Sequence, residues 1–191
     1  MSEEIEYAVH GELVDGNVLI SDQKAIDELM KKGYGDKDGK RYLLKIYEAL
    51  YLLYSNKITI KHKNRVPNFD QLVDIALKKD KEGWTRFLVY RDLRSRGYVA
   101  KEGFGFGVDF RLYERGEHGN KPAKYVVFGI NEGTKMQVEK LNDAIEQIGH
   151  MGKEPVIAVI ERRGEVIYYK VSKMRFVNSK ASFDINSISE K

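Results

Sequence analysis

The chain has 191 residues, a formal net charge of +4, 42% hydrophobic residues and 32% charged residues. This length suits one mid-sized domain or two small ones, and the composition is typical of a folded chain rather than a disordered one. The lack of cysteine excludes disulfides, thiolate catalysis and thiolate metal sites.

The sequence also argues against a membrane protein and against a metalloprotein. No apolar run approaches the roughly 20 residues that a membrane-spanning helix needs. The acidic N-terminus, MSEEIEYAVH, lacks the apolar core of a signal peptide, so we expect a cytoplasmic protein. No two histidines stand at metal-ligand spacing on one helix, so we expect neither a bound metal nor another cofactor. The four are His10, His62, His118 and His150.

Residues 1–80 predict a small N-terminal α/β domain. Strand-like runs at Tyr7–Leu13 and Asn17–Ile20 flank an Asp-Gly pair that is typical of a hairpin. A helix is predicted from Ser21 or Asp22 to about Lys32, before a glycine. Three elements follow in the prediction: a helix over Arg41–Tyr54, a strand over Lys57–His62 and a helix that opens at Pro67. The charged stretch 78–82 predicts a linker.

Residues 83–177 predict a second domain, in which helices flank a mixed central sheet, so the predicted fold class is α+β. A helix containing Trp84 ends at Gly97. Strands are predicted at 98–101, 109–115 and 124–130, and a helix at 134–148. Two more strands, 156–161 and 165–171, are joined by a tight turn. The polar residues 178–191 predict a flexible tail.

Three side chains of this second domain could together cleave RNA. RNA carries its own nucleophile, the 2′-hydroxyl, so cleavage needs a base, an acid and a cation that stabilises the crowded phosphate. Tyr113 lies near a strand end, His118 lies in the loop GEHGN, and Lys153 opens a strand. Histidine suits the acid near neutral pH. A nearby cation such as Lys153 would make a tyrosine, whose usual pKa is about 10, a better base.

Each of these residues also has an ordinary interpretation, which is favoured when it is taken alone. Tyr113 is one of 12 tyrosines and suits packing, while Lys153 suits an exposed strand start. His118, between glycines, suits either solvent exposure or function. Three arginines of YRDLRSRGY either complement a helix C-terminus or contact phosphate, and the sequence favours neither reading. They are Arg91, Arg94 and Arg96.

Several blocks in order resemble the catalytic domain of archaeal tRNA-splicing endonuclease: LVYRDLRSRGYV, FGVDFRLYERG, EH, GKEPVIAVIE and GEVIYY. The resemblance is dense from about Phe87 to Tyr169 and weaker over residues 1–80. It implies that Tyr113 is the general base, His118 the general acid and Lys153 the cation that stabilises the transition state. It also implies metal-independent excision of introns from precursor tRNA at bulge–helix–bulge motifs, with 2′,3′-cyclic phosphate and 5′-hydroxyl ends.

Two departures from the family concern the substrate site. An insertion over residues 119–124 lies between His118 and the next strand, and His150 is the only rival histidine. The family pinches a base between two arginines. Arg175 fits the second position, and we expect it to bind substrate, whereas the first position offers only Glu146 or Gln147.

A third departure concerns assembly. The turn Glu161–Glu165 is acidic in many family members and docks into a basic pocket of a neighbouring subunit, but here Arg162 and Arg163 cancel its charge. We therefore expect a structural partner subunit that supplies the acidic turn in a heterotetramer, with a homotetramer as the alternative. The run from Val166 to Tyr169 is apolar on both faces, so this last strand needs to be paired or covered. The resemblance implies a self-dimer through it.

Two other functions stay open at this point. The first is a non-catalytic structural subunit that only binds RNA, although structural chains of the family usually lose part of the catalytic set. The second is a metal-dependent DNA nuclease, which needs carboxylates near a lysine to hold magnesium. Asp109 and Glu154 do not form such a cluster convincingly, so this reading ranks third.

Overall fold

The computed structural model describes residues 9–105, 107–135 and 137–172. Within them the elements follow in this order: β1 Val9–Val14, β2 Asn17–Ile20, α1 Gln23–Lys31, β3 Asp36–Asp38, β4 Arg41–Lys45, α2 Ile46–Tyr54, β5 Ile58–Lys61, α3 Phe69–Lys79, α4 Gly83–Ser95, β6 Val99–Gly105, β7 Val108–Tyr113, β8 Tyr125–Asn131, α5 Val138–His150, β9 Glu154–Ile160 and β10 Val166–Lys170.

The N-terminal domain is built on a mixed sheet of order β3-β4-β2-β1-β5. β1 and β2 form the predicted hairpin, in which Asp15 and Gly16 have φ of 50° and 76°. These left-handed values match the right-handed twist of the strands, which explains the Asp-Gly pair. The carboxylate of Asp22 caps α1 by accepting from the backbone N–H of Ala25 at 2.8 Å.

The C-terminal domain is built on a second mixed sheet of order β10-β9-β8-β7-β6. β8 and β9 are parallel, and the other neighbours are antiparallel. The α+β class with a mixed C-terminal sheet is therefore confirmed. Leu112 lies opposite Tyr125, which lies opposite Glu154. The end of β7 and the starts of β8 and β9 thus meet at one edge of the sheet.

One hydrophobic core continues from the N-terminal domain into the face of the C-terminal sheet that α4 covers. The ring of Tyr47 on α2 lies 4.9 Å from that of Tyr90 on α4 and 5.2 Å from that of Phe110 on β7. A smaller core holds α5, through Ala144 and Ile148, on residues of β8. Each fully buried large side chain contributes about 1.5–3 kcal/mol, so the shared core fixes the domains to each other.

The predicted helix over Arg41–Tyr54 is wrong in its first part, since residues 41–45 form β4. Val18 of β2 pairs with Leu44, and the alternation that buries Tyr42 and Leu44 suits a half-buried strand as well as a helix face. Lys45 is extended, with φ −65° and ψ 153°, and α2 begins after it. The pairing with β2, which local sequence does not reveal, makes these residues a strand rather than a helix.

Smaller differences concern element ends and one strand. The exposed edge strand β3 was not predicted, and α5 begins at Val138 rather than residue 134. α3 begins after Asn68, whose side chain accepts from Gln71, so Pro67 precedes the helix. The limits of the second domain and the tail over 178–191 include residues outside those described, and stay predictions. None of the described helices is long and apolar enough to cross a membrane.

Candidate active site

Tyr113 is the last residue of β7, and the alternation of side chains along this strand sets how deeply it is buried. Phe110 and Leu112 are buried, while Tyr113 is only half-buried. Its ring meets that of His118, with ring centroids 4.9 Å apart and planes at 83°. This edge-on contact is a favourable aromatic geometry, and it brings the phenol and the imidazole of the predicted set together.

The loop that carries His118 is a turn closed by its own hydrogen bonds. The N–H of Glu117 donates to the carbonyl of Glu114 at 3.1 Å, and that of Lys121 donates to the carbonyl of Glu117 at 2.8 Å. Lys121 also pairs with the Glu117 carboxylate at 2.6 Å. Gly119, with φ of 86°, provides a left-handed bend. The inserted residues therefore build a defined turn that folds His118 back onto the strand.

The surroundings of His118 disfavour its charged form. Partial burial is the largest effect, and the charge of Lys101 is the next, so the pKa of His118 lies below its usual value. The charges of Arg111 and Arg94 act in the same direction, and Asp36 opposes them. An anionic phosphate beside the imidazole would raise that pKa again, because an opposite charge favours the protonated form.

Lys153 stands immediately before β9, two strands away from Tyr113. Its Nζ donates to the carbonyl of Ala123 at 2.8 Å, and the next backbone N–H, of Glu154, donates to the carbonyl of Lys124 at 2.9 Å. Two strand spacings separate β7 from β9, so the backbones at Tyr113 and Lys153 are roughly 10 Å apart at the same sheet edge.

The three residues do not line one hollow. His118 lines a cleft of about 500 Å³ between the two domains. Lys153 lines a separate hollow of about 390 Å³ with Glu146 and His150, at the C-terminal end of α5. The structure thus brings Tyr113 and His118 into contact and sets Lys153 at the same edge. Arg175 lies outside the described residues.

The interdomain cleft is rich in cations, several with structural roles. Arg94 lies 4.0 Å above the ring of Tyr34 and donates to the carbonyl of Lys32 at 2.9 Å. Arg96 pairs with Asp92 at 2.6 Å. The other basic residues of the lining are Lys31, Lys32, Lys57 and Arg115. Arg94 therefore joins α4 to the N-terminal domain, Arg96 pairs within its own helix, and both give this cleft positive charge.

Sequence reasoning missed one residue beside the site. Lys101 of β6 is 4% exposed and crosses to the N-terminal domain, where its Nζ donates to the carbonyl of Gly35 at 2.6 Å and pairs with Asp36 at 3.0 Å. Its only sequence signal is a lysine that directly follows the apolar residues Val99 and Ala100 of its strand. Across the described residues, no group of three or more His, Asp or Glu side chains is arranged to hold a metal ion.

Comparison with known proteins covers both domains. Residues 83–168 match the family model of the tRNA intron endonuclease catalytic C-terminal domain, and residues 9–73 match that of its N-terminal domain. The chain is 33% identical over 168 residues to a tRNA-splicing endonuclease of Methanococcus vannielii, covering 87% of this chain and 95% of that protein. It is 33% identical over 174 residues to that of Pyrococcus furiosus, covering 90% and 98%.

Proposed function

Because the chain belongs to the tRNA intron endonuclease family, we propose that it is a catalytic chain that removes introns from precursor tRNA. It cuts at bulge–helix–bulge motifs without a metal, and leaves 2′,3′-cyclic phosphate and 5′-hydroxyl ends. The contact between Tyr113 and His118, at 4.9 Å between ring centroids, is the observation that carries this proposal. A base and an acid must both reach the oxygens of one phosphodiester, and these two residues lie side by side at the sheet edge, where His118 lines the interdomain cleft.

Tyr113 takes the proton of the 2′-hydroxyl, and the freed oxygen attacks the adjacent phosphorus. The bond from phosphorus to the 5′-oxygen breaks, and His118 gives its proton to that oxygen. Lys153 stabilises the negative charge that builds on the phosphate during this exchange. For this role its ammonium leaves the carbonyl of Ala123, which it contacts at 2.8 Å, or shares its protons with the phosphate.

The test is cleavage of an end-labelled bulge–helix–bulge RNA in EDTA, with the chain alone and with a candidate structural subunit. We expect cutting in EDTA and products that end in cyclic phosphate. A matched RNA with a 2′-deoxy sugar at the scissile nucleotide should resist cutting, because its nucleophile is missing. Cleavage of the deoxy RNA, or cleavage that requires magnesium, would contradict the proposal.

A non-catalytic structural subunit is the second candidate, and one observation favours it. Lys153 and His118 line different hollows, and the Lys153 ammonium is already held by a backbone carbonyl. If this candidate is right, the reconstituted complex keeps its full cleavage rate when His118→Ala or Lys153→Ala is introduced into this chain.

We further propose that the chain works in an assembly. The basic cleft lined by Lys31, Lys57 and Arg96 receives the acidic turn of a neighbouring subunit. The chain's own turn, with Arg162 and Arg163, has no net charge and is a poor match to that cleft. Because His118 lines the same cleft, a docked turn would pack against the His118 loop, so the partner would complete the site.

The proposal also assigns a second subunit contact and a site for the substrate. β10 is an edge strand that leaves Ile167 and Tyr169 exposed, and a second copy pairing there would bury them. By its likeness to the family, Arg175, which lies outside the described residues, supplies one of the arginines that bind substrate. In the hollow beside Lys153, His150 stands one turn after Glu146 and offers a ring on which a base can stack.

A further inference from the structure

A cluster of four aromatic rings lies where α2, α3 and α4 meet, away from the residues of the proposed site. The rings of Phe69 and Phe87 are 5.4 Å apart, and Phe87 is fully buried. Trp84 lies 5.2 Å from Phe87, and Tyr54 lies 5.8 Å from Phe69. Trp84 and Tyr54 are nevertheless 38% and 55% exposed. The rings of Trp84 and Tyr54 thus pack against Phe87 and Phe69 while part of each stays in contact with solvent.

Cations border the exposed rings on one side. The guanidinium of Arg91 lies 5.9 Å from the ring centroid of Tyr54, and one of its nitrogens lies 3.5 Å from the carbonyl of Gly164. Arg91 therefore joins the aromatic cluster to the β9–β10 turn. In that turn Arg163 is exposed, and Arg162 is 93% exposed beside Glu132 at 3.8 Å.

We propose that Tyr54, Trp84, Arg91 and Arg163 form a surface that binds single-stranded RNA outside the cleavage site. Exposed aromatic rings bordered by arginines are the recurring means of holding unpaired nucleotides, because bases stack on the rings and the cations attract the phosphates. The inference rests on the proposed RNA substrate, and it assigns this surface to nucleotides that flank the cut rather than to the scissile phosphate.

Charge favours RNA over a protein as the occupant. Tryptophan, tyrosine and arginine are also common at protein interfaces, so the rings alone do not distinguish an RNA from a protein as the occupant. The guanidinium of Arg91 lies beside Tyr54 and Arg163 is exposed in the adjacent turn, and an anionic strand complements these two cations better than a basic protein would. A protein partner is therefore the competing outcome of the test.

Trp84 is the only tryptophan of the chain, so its fluorescence reports directly on this surface. The experiment titrates the full chain, in EDTA, with single-stranded oligoadenylate and with a fully paired RNA hairpin of equal length. We expect saturable quenching by the single strand, weaker at high salt, and little quenching by the hairpin. Arg163→Gln should lower the salt slope by about one.

Tyr54→Ala should weaken oligoadenylate binding roughly tenfold, whereas Tyr54→Phe, which keeps the ring, should bind nearly normally. The control, Val138→Ala, truncates an apolar side chain of α5 that is even more exposed than Tyr54, and it should change nothing. All three variants should cut a minimal bulge–helix–bulge RNA within about twofold of the parent chain. That readout separates a failure of this surface from a failure of the proposed nuclease.

Three outcomes would overturn the proposal. One is RNA binding, seen by mobility shift, that leaves Trp84 fluorescence unchanged. Another is equal loss of binding in Tyr54→Phe and Tyr54→Ala. The third is a fluorescence change that follows protein concentration or an added subunit instead of RNA, which would make the surface a protein interface.

Discussion

The ammonium of Lys101 and the carboxylate of Glu48 lie 3.9 Å apart, in different domains, and each is almost completely buried. The same carboxylate accepts from the backbone N–H groups of Gly35 and Lys45 at 3.0 and 2.8 Å. Burial raises the pKa of Glu48, while the Lys101 charge and these two donors oppose the rise. The pair thus fastens β6, which neighbours the strand of Tyr113, to the N-terminal domain.

Removing the cation of this pair should be costly. Lys101→Met leaves Glu48 buried without its counter-charge, which we expect to lower the free energy of unfolding by about 3–5 kcal/mol in a urea titration. The exposed pair of Lys45 with Glu102, at 2.7 Å, supplies the control. Lys45→Met should cost less than about 1 kcal/mol. Equal losses in both variants would contradict a special role for the buried pair.

The loss of unfolding free energy caused by Lys101→Met, called the deficit below, should also depend on pH. Without the ammonium, the pKa of Glu48 in the folded state rises further, so the folded variant binds more protons than the unfolded chain. Stability that comes from this proton is present at low pH and is lost as pH rises through the folded pKa. The deficit should therefore be smaller at pH 5 than at pH 8. A deficit that grows on acidification would show that Glu48 is not the group responsible.

Substitution of the three proposed catalytic residues should lower the cleavage rate far more than substitution of a neighbouring residue. Tyr113→Phe, His118→Ala and Lys153→Ala should each lower the cleavage rate at saturating RNA by about 10²–10⁴-fold, the usual contribution of an acid or base. His150→Ala is the matched histidine control in the hollow of Lys153. It should mainly weaken RNA binding. A larger rate loss from His150→Ala than from His118→Ala would transfer the acid role to His150.

The pH profile follows from the environment of His118. A general acid must carry its proton, so kcat/KM declines as pH rises through the pKa of the free enzyme. Burial and then Lys101 hold that pKa low, so the decline should begin below the ordinary value of about 6.5. Arg111→Gln removes a cation and should move the decline to higher pH. A decline above pH 7.5 would argue against His118 as the acid.

Charge in the β9–β10 turn should control self-assembly. Arg162→Asp combined with Arg163→Asp changes the turn from no net charge to four negative charges, which suit the basic cleft of another copy. We expect light scattering to show larger assemblies than for the parent chain. Lys135→Asp combined with Lys140→Asp makes the same charge change elsewhere and should leave the mass unchanged. An increase of assembly mass in both double variants would indicate only a general charge effect.

The β10 edge should carry the proposed self-dimer. Tyr169 is 53% exposed on this strand, and a lysine at an edge strand discourages pairing with another chain. Tyr169→Lys should therefore raise the dimer dissociation constant at least tenfold, measured by sedimentation. Met30→Lys places the same charge at a similarly exposed apolar site on α1 and should leave the constant unchanged.

Periodicity and turn chemistry predicted most elements because their signals are local. The hairpin at Asp15-Gly16 needed left-handed backbone at two residues, and only such a pair provides it readily. The strand Arg41–Lys45 escaped prediction because its hydrogen bonds go to β2, far away in sequence. Lys101 escaped for the same reason, since its partners Asp36 and Glu48 lie in the other domain.

The candidate site could be predicted only in part. The glycines around His118 indicated a loop, but whether that loop returns to Tyr113 depends on the hydrogen bonds between Glu114, Glu117 and Lys121. The separate hollow of Lys153 depends on how α5 ends before β9. The role of Arg175 stays a prediction, because the residue lies outside the described part of the chain.

The rings of Tyr47, Tyr90 and Phe110 pack across the boundary between two units that have separate sheets. A catalytic fragment expressed by itself would expose Tyr90 and other α4 side chains to water, and we expect such a fragment to precipitate or to expand. The intact chain should instead melt in one cooperative calorimetric transition, because neither half has a complete interior of its own.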